Sequence, residues 1–252
     1  MTDLNLGDHI SQRFNEELEM IRTNVMTMGG LVEKQVADGL KALVEADPEL
    51  AEIVSTSDVK INTMEVEIDE QCARIIAMRQ PAASDLRLVV SIIKTITDLE
   101  RIGDEAQKLG RYSLKVNDEY LRARHFGQLQ HLGDHVLVML RSALNSFAHM
   151  DVEAALQAIS TDERIDAEFE SISRNLITHM MEDPREIANA LRVTWCARAL
   201  ERIGDHSKNI CEYVVYLVKG KDVRHTRLEK AAVEVDVDLD ISDDDAEQDK
   251  ES

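Results

Sequence analysis

LERIGD stands at Leu99–Asp104 and again at Leu200–Asp205. A six-residue identity recurring in a chain of 252 residues is improbable by composition alone and marks an internal repeat. The likeness extends beyond the motif. Residues 47–62, DPELAEIVSTSDVKIN, parallel residues 151–166, DVEAALQAISTDERID, and Pro81 parallels Pro184. Tyr112 and Tyr213 follow their motifs at the same distance. The offset is 104 residues in the earlier block and 101 at LERIGD, as connecting loops of slightly different length produce.

Between these landmarks the apolar residues recur in steps of three and four. Phe14, Leu18, Ile21, Val25, Met28, Val32, Val36 and Leu40 form one such stripe, which predicts a helix over about residues 10–45. DPEL at 47–50 ends it and starts the next, since proline fits the first turn of a helix. A second helix then runs to about Met78. RQPAASD makes the following break, with Ser84 or Asp85 as the expected cap of a third helix over about Leu86–Val116. The pattern restarts after NDEY, giving helices over about 123–149, 152–181 and 186–219. Helices of about 30 residues suit an elongated bundle. The predicted fold is all-α, two pseudosymmetric three-helix bundles packed side by side, over residues 1–118 and 119–225, with an acidic tail at 226–252.

Composition narrows the function. The net charge is −20, of which residues 234–252 supply −9, with ten acids and one lysine. This balance argues against binding along nucleic-acid phosphates, which requires a basic surface. The tail reads as a solvated, disordered segment, because its like charges repel and it offers little apolar surface. Cys72, Cys196 and Cys211 form no C-x-x-C pair, so reduced thiols buried in helices and a cytoplasmic setting are expected. MTDLNLGDHISQRF has no basic start or apolar run to read as a signal peptide, and no stretch reaches the ~20 apolar residues of a membrane span.

The motif itself makes unfavourable choices. Glu100 and Asp104, like Glu201 and Asp205, are four apart on one helix face, where like charges cost ~0.2–0.5 kcal/mol. Gly103 and Gly204 each cost about 1 kcal/mol relative to alanine. Two explanations compete. Either a neighbouring helix packs closely at the glycine, with the acids solvated or paired to Arg101 and Arg202, or the acids coordinate a cation and the glycine admits a second ligand-bearing helix. Asp58, Asn62, Glu65 and Asp69 lie along one stripe of the second helix. In the second unit Asp162 and Asp166 repeat the spacing, while Phe169 and Ser173 replace the later acids. Such oxygen-rich sites suit hard cations, iron or manganese.

LERIGD in each half, MTMGG in the first helix and RQPAASDLR before the third resemble the PhoU family of phosphate-signalling regulators over about residues 4–225. The resemblance implies two three-helix bundles, frequent homodimerisation and a cytoplasmic regulator peripheral to the inner membrane through its partners. Those partners are the ATPase subunit of the phosphate ABC transporter and the membrane sensor histidine kinase of the phosphate two-component system. Linking them represses the phosphate-starvation genes and modulates uptake when phosphate is plentiful. The resemblance also implies divalent or multinuclear metal (iron, manganese, magnesium or zinc) at Glu100, Asp104 and Asp58 in one bundle, and at Glu201, Asp205, Asp162 and Asp166 in the other. Asn62 stands where a second carboxylate is expected after Asp58, which weakens the first site.

The remaining features have plainer readings. His131 and His135 have the spacing of a transition-metal pair, but the first unit offers no counterpart, so a helix face is expected. His206 reads as a pairing or outer-shell group. The Gly29–Gly30 pair predicts a kink or a close helix crossing, and Trp195 predicts core or inter-bundle packing. Three functional classes compete, namely a regulatory adaptor, a carboxylate-bridged metal enzyme, and a structural or phosphotransfer bundle. Di-iron carboxylate bundles use Glu-x-x-His pairs, and no E-x-x-H occurs in this sequence. Glycine-rich phosphate loops and G-x-S-x-G elbows are absent too, so an adaptor is the prediction, not an enzyme.

Overall fold

Every long apolar stripe forms a helix. The computed structural model describes residues 6–57, 59–115, 119–224, 226, 230 and 232–233. Among these residues the first unit comprises α1 (Leu6–Glu45), α2 (Pro48–Ser55), α3 (Val59–Arg79) and α4 (Ala83–Ser113). The second comprises α5 (Glu119–His149), α6 (Val152–Ser160), α7 (Asp162–Glu182) and α8 (Ile187–Lys219), with a 3-10 turn at Pro184–Glu186. The predicted acidic tail lies outside the described residues from position 234 onward.

Two of the six expected helices are interrupted, at the same place in each repeat. Ser55 and Thr56 donate their hydroxyls to the carbonyl of Glu52, and Ser57 donates to that of Val54. Ser160 and Thr161 donate likewise to Gln157 and Ala158. Hydroxyls that bond back to the preceding turn compete with the helix for its carbonyls. Each break also falls in a polar gap, Ser55–Asp58 between Val54 and Val59 and Ser160–Arg164 between Ile159 and Ile165, where no apolar side chain ties the turn to the core. The cap expected at Ser84 or Asp85 is also corrected. The N-cap of α4 is Ala82, with no side-chain hydrogen bond, because the turn after Pro81 starts the helix before either polar residue.

The turns repeat as faithfully as the helices. Ala46 and Met150 are both left-handed, with φ of 59° and 56°. That backbone costs roughly 1–2 kcal/mol for a residue with a Cβ. The next residue in each copy is an aspartate capping the following helix. Asp47 accepts from the amides of Glu49 and Leu50, and Asp151 from that of Ala154. A cap of this kind contributes ~1 kcal/mol and offsets much of the strain.

Among the described residues the units meet mainly along two antiparallel helix pairs, α1 with α5 and α4 with α8, the latter the most extensive helix contact. At the first, a Cβ on Gly29 would stand 2.5 Å from Cδ2 of Leu144, and one on Gly133 would stand 2.5 Å from Cδ1 of Leu40. These are the same contact twice, because the offset of 104 carries Gly29 to Gly133 and Leu40 to Leu144. Each glycine costs ~1 kcal/mol of helix propensity, while seating a leucine yields ~1.5–3 kcal/mol. Packing wins, and MTMGG marks a close crossing in a helix that runs on unbroken. One continuous apolar cluster then spans both units, including Val25, Met28, Leu99, Ile102, Leu140 and Ile203. The three cysteines are buried and free. Burial pushes the Cys72 and Cys196 thiols up to about 12, which keeps them protonated.

Candidate carboxylate centre

Each motif glycine faces the second long helix of its own unit. A Cβ on Gly103 would stand 3.2 Å from Cδ1 of Ile61, and one on Gly204 would stand 3.3 Å from Cγ2 of Ile165. Ile61 and Ile165 are equivalent under the 104-residue offset, and both are buried. The missing side chain lets α3 lie against α4, and α7 against α8, so that acids on the two helices come face to face.

In the second unit three of them converge. Asp166 from α7 and Glu201 and Asp205 from α8 each offer an oxygen within 4.8 Å of the other two. Glu201 is only 7% exposed. Its Oε1 accepts from Nη1 of Arg198 at 2.6 Å, while its Oε2 is buried without a hydrogen-bond partner. Burial, then the charges of Asp205 and Asp166, push its carboxyl up to about 7 against the opposing pull of Arg198. Burial also raises Asp166 and Asp205, each reinforced by the charge of Asp162. An orphaned buried oxygen, an all-oxygen donor set and carboxylates that repel one another fit a divalent cation of the hard or intermediate kind.

Asp162 stands beside this trio but is engaged elsewhere. It is buried, and Nζ of Lys208 donates to its Oδ2 at 2.5 Å. Phe169 has a role that the sequence did not suggest, since the guanidinium of Arg198 lies over its ring at 5.6 Å from the centroid. The aromatic side chain thereby holds the cation that pairs Glu201.

The first unit is built differently. Glu100 and Asp104 are half-buried, and Nε of Arg101 stands 3.4 Å from Oε2 of Glu100. Burial and then Asp104 raise the Glu100 carboxyl. Glu65 on α3 is raised by burial and then by Glu100, which marks it as the acid facing the motif. Asp58 lies outside the described residues. Among those described, no trio of ligand atoms in this unit converges as in the second. The facing acid also comes from a non-equivalent position, because the offset maps Glu65 to Phe169 and Asn62 to Asp166.

Between the units, the α4–α8 seam carries polar pairs that the repeat alone did not announce. His206 Nδ1 lies 2.7 Å from Oδ1 of Asp98, which also accepts from Nδ2 of Asn209 at 3.1 Å. His206 is thus a pairing group. The buried Glu105 meets Nε of Arg202 at 3.2 Å and Nζ of Lys108 at 2.8 Å. Asp98 and Glu105 flank LERIGD, and the second copy has Ala199 and His206 in their places. That loss of equivalence was their only sign in the sequence.

The family model described as the PhoU domain matches residues 25–113 and again residues 129–214. The phosphate-specific transport system accessory protein PhoU homolog of Pseudomonas putida is 52% identical over 230 residues, covering 91% of this chain and 90% of that protein. The PhoU accessory protein of Escherichia coli (strain K12) is 50% identical over 225 residues, covering 89% and 93%. Among solved structures, PhoU from Pseudomonas aeruginosa superposes with a TM-score of 0.77 at 48% identity, over 82% of this chain and 100% of that one. The phosphate transport system regulatory protein PhoU from Streptococcus pneumoniae gives 0.78 at 33% identity, over 83% and 99%.

Proposed function

The chain belongs to the PhoU family of phosphate-specific transport accessory proteins, and from that premise we propose that it holds the phosphate-starvation genes silent when phosphate is plentiful. It does so by linking the ATPase subunit of the phosphate ABC transporter to the sensor histidine kinase, and it modulates uptake through the same contact. The observation that carries this reading is the doubled family match, one copy on each side of the α4–α8 seam. The accessory-protein names of its relatives support a regulatory role rather than an enzymatic one.

Among the described residues no helix is long and apolar enough to cross a membrane. On this reading the protein works in the cytoplasm, as a homodimer, and reaches the membrane only through its partners. Aromatic residues, which anchor tight interfaces, make up 4% of the chain. Its contacts are therefore modest in affinity, reversible and responsive to the partner's conformation.

Asp166, Glu201 and Asp205 would hold a divalent cation. When bound, that ion supplies positive charge among the three carboxylates. The chain's own residues do the rest. Arg198 neutralises one face of Glu201, Lys208 occupies Asp162, and Gly204 keeps α7 against α8.

A reporter driven by a starvation promoter tests the proposal in a strain lacking the protein. Expression is expected to persist in phosphate-rich medium and to be shut off when the wild-type chain is restored. Normal repression without the protein overturns the regulatory reading. Pull-downs against the transporter ATPase and the kinase then test the two partners separately.

A further inference from the structure

His131 and His135 stand one turn apart on α5, and Glu168 meets them from α7. Nδ1 of His131 lies 3.3 Å from Oε2 of Glu168, and Nδ1 of His135 lies 2.8 Å from Oε1. The two rings meet edge to face with centroids 4.3 Å apart. Each of the three side chains offers a ligand atom within 4.8 Å of the other two. We propose that His131, His135 and Glu168 form a binding site for one borderline transition-metal cation, zinc being the reference, separate from the carboxylate trio and independent of the regulatory reading above.

The separation follows from helix geometry. Glu168 is two residues beyond Asp166, so it projects roughly 200° around α7 from it. Asp166 joins α8, and Glu168 joins α5. The donors differ as well. Two imidazoles and a carboxylate suit zinc, nickel or copper, whereas three carboxylates suit magnesium or manganese.

The spacing is close to what zinc requires. Zinc bonds of ~2.0–2.2 Å in a tetrahedron set neighbouring ligand atoms about 3.4 Å apart. The observed 3.3 Å and 2.8 Å need only small side-chain rotations. Nδ1 of His135 is also shielded from water and lacks a hydrogen bond, although the carboxylate oxygen is 2.8 Å away. A protonated imidazole paired with Glu168 would instead align its N–H with that oxygen. A cation between nitrogen and oxygen satisfies both.

His131 is 60% exposed, so the site opens to solvent and leaves a coordination position for water or an exogenous ligand. Arg164 is the competing cation, with Nε 3.3 Å from Oε1 of Glu168, but its own side chain is 64% exposed and free to swing away. The offset of 104 maps the three residues to Thr27, Leu31 and Met64. The site is therefore a property of the second unit alone.

The test uses the full chain stripped with a chelator and titrated with Zn²⁺ in excess Mg²⁺, which fills oxygen-only sites. One zinc equivalent is expected. Its affinity should fall by more than ~100-fold in His135→Ala and in Glu168→Gln, beyond the usual effect of losing an outer-shell partner. It should persist in Glu201→Gln combined with Asp205→Asn, and Arg164→Ala should tighten it. Co²⁺ should give four-coordinate visible bands that vanish in His135→Ala. Because His131 is exposed, His131→Ala serves as a second variant if His135→Ala fails to fold. The proposal is overturned if no zinc equivalent binds, if affinity is unchanged in both the histidine and the Glu168 variants, or if the equivalent disappears with Glu201 and Asp205.

Discussion

Tyr112 of the first unit packs against Trp195 of the second, with ring centroids 5.4 Å apart and planes tilted by 36°. The 101-residue offset carries Tyr112 to Tyr213 and Trp195 back to Lys94. Nζ of Lys94 indeed lies over the Tyr213 ring, 5.3 Å from its centroid. The α4–α8 seam thus carries an aromatic pair at one end and a cation–π pair toward the other, with Arg87 reaching the carbonyl of Leu217 beyond it. Trp195 remains 46% exposed, so it packs between the bundles and not in the core.

The aromatic end should contribute ~0.5–1.5 kcal/mol of coupling. A double-mutant cycle on Tyr112→Ala and Trp195→Ala, read by urea denaturation, is expected to return a value in that range. Strict additivity would mean that the rings are neighbours without interaction.

Glycine substitutions should separate close packing from open helix. A Cβ on Gly110 would meet Ala51 O at 2.9 Å and Ser55 N at 3.0 Å, both backbone atoms that cannot swing aside. Gly110→Ala should therefore destabilise by about 1–3 kcal/mol. Gly30 is exposed with nothing within 4 Å, so Gly30→Ala should stabilise by up to ~1 kcal/mol. Thermal melts of the two variants should shift in opposite directions.

Stability of the metal-free protein should fall as pH rises from 4.5 toward 7. Burial lifts the Glu201 carboxyl from its usual 4.5 to about 7, so the folded chain binds a proton that the unfolded chain has released. The stabilisation from that proton is complete below the unfolded value and is lost as pH climbs through the folded one. At ~1.4 kcal/mol per unit the loss is on the order of 3 kcal/mol at most. Glu201→Gln, neutral at every pH, should flatten the profile. Urea midpoints at pH 5 and pH 8 with chelator present measure this, and an unchanged slope in the variant would remove Glu201 as its source.

Divalent cation binding should depend more on the second motif than on the first. Glu201→Gln with Asp205→Asn breaks a convergent trio, while Glu100→Gln with Asp104→Asn alters acids that lack such convergence among the described residues. After dialysis against Mn²⁺, elemental analysis should show the larger loss in the former. Equal manganese in both variants and the wild type would leave close packing as the motif's whole purpose.

The helical architecture was legible because stripes such as Val25–Met28–Val32–Val36 are local and periodic. The breaks at Ser55–Ser57 and Ser160–Thr161 were not, since a polar gap as short as Ser55–Asp58 or Ser160–Arg164 is equally compatible with the exposed face of one continuous helix. Glu201 and Asp205 were visible for the same local reason, and Asp166 through its four-residue step from Asp162. What the sequence hid is non-local. Lys208 reaches Asp162 and Glu168 reaches His131 across separate helices. Arg198 is only three residues from Glu201, but its footing on Phe169 is a contact between α7 and α8.

The reciprocal seats of Leu144 at Gly29 and Leu40 at Gly133 have the form of an isologous interface, in which residue i meets j and j meets i. Symmetric homodimers use such contacts between separate copies. Here both partners lie on one polypeptide, so the association carries no dependence on concentration and the two surfaces are free to diverge. The positions facing the two motifs have done so, with Asn62 against Asp166 and Glu65 against Phe169, while the leucine-and-glycine pairing stays the same on both sides. Joining the halves preserved a self-complementary patch as architecture and released the acidic faces to become unlike.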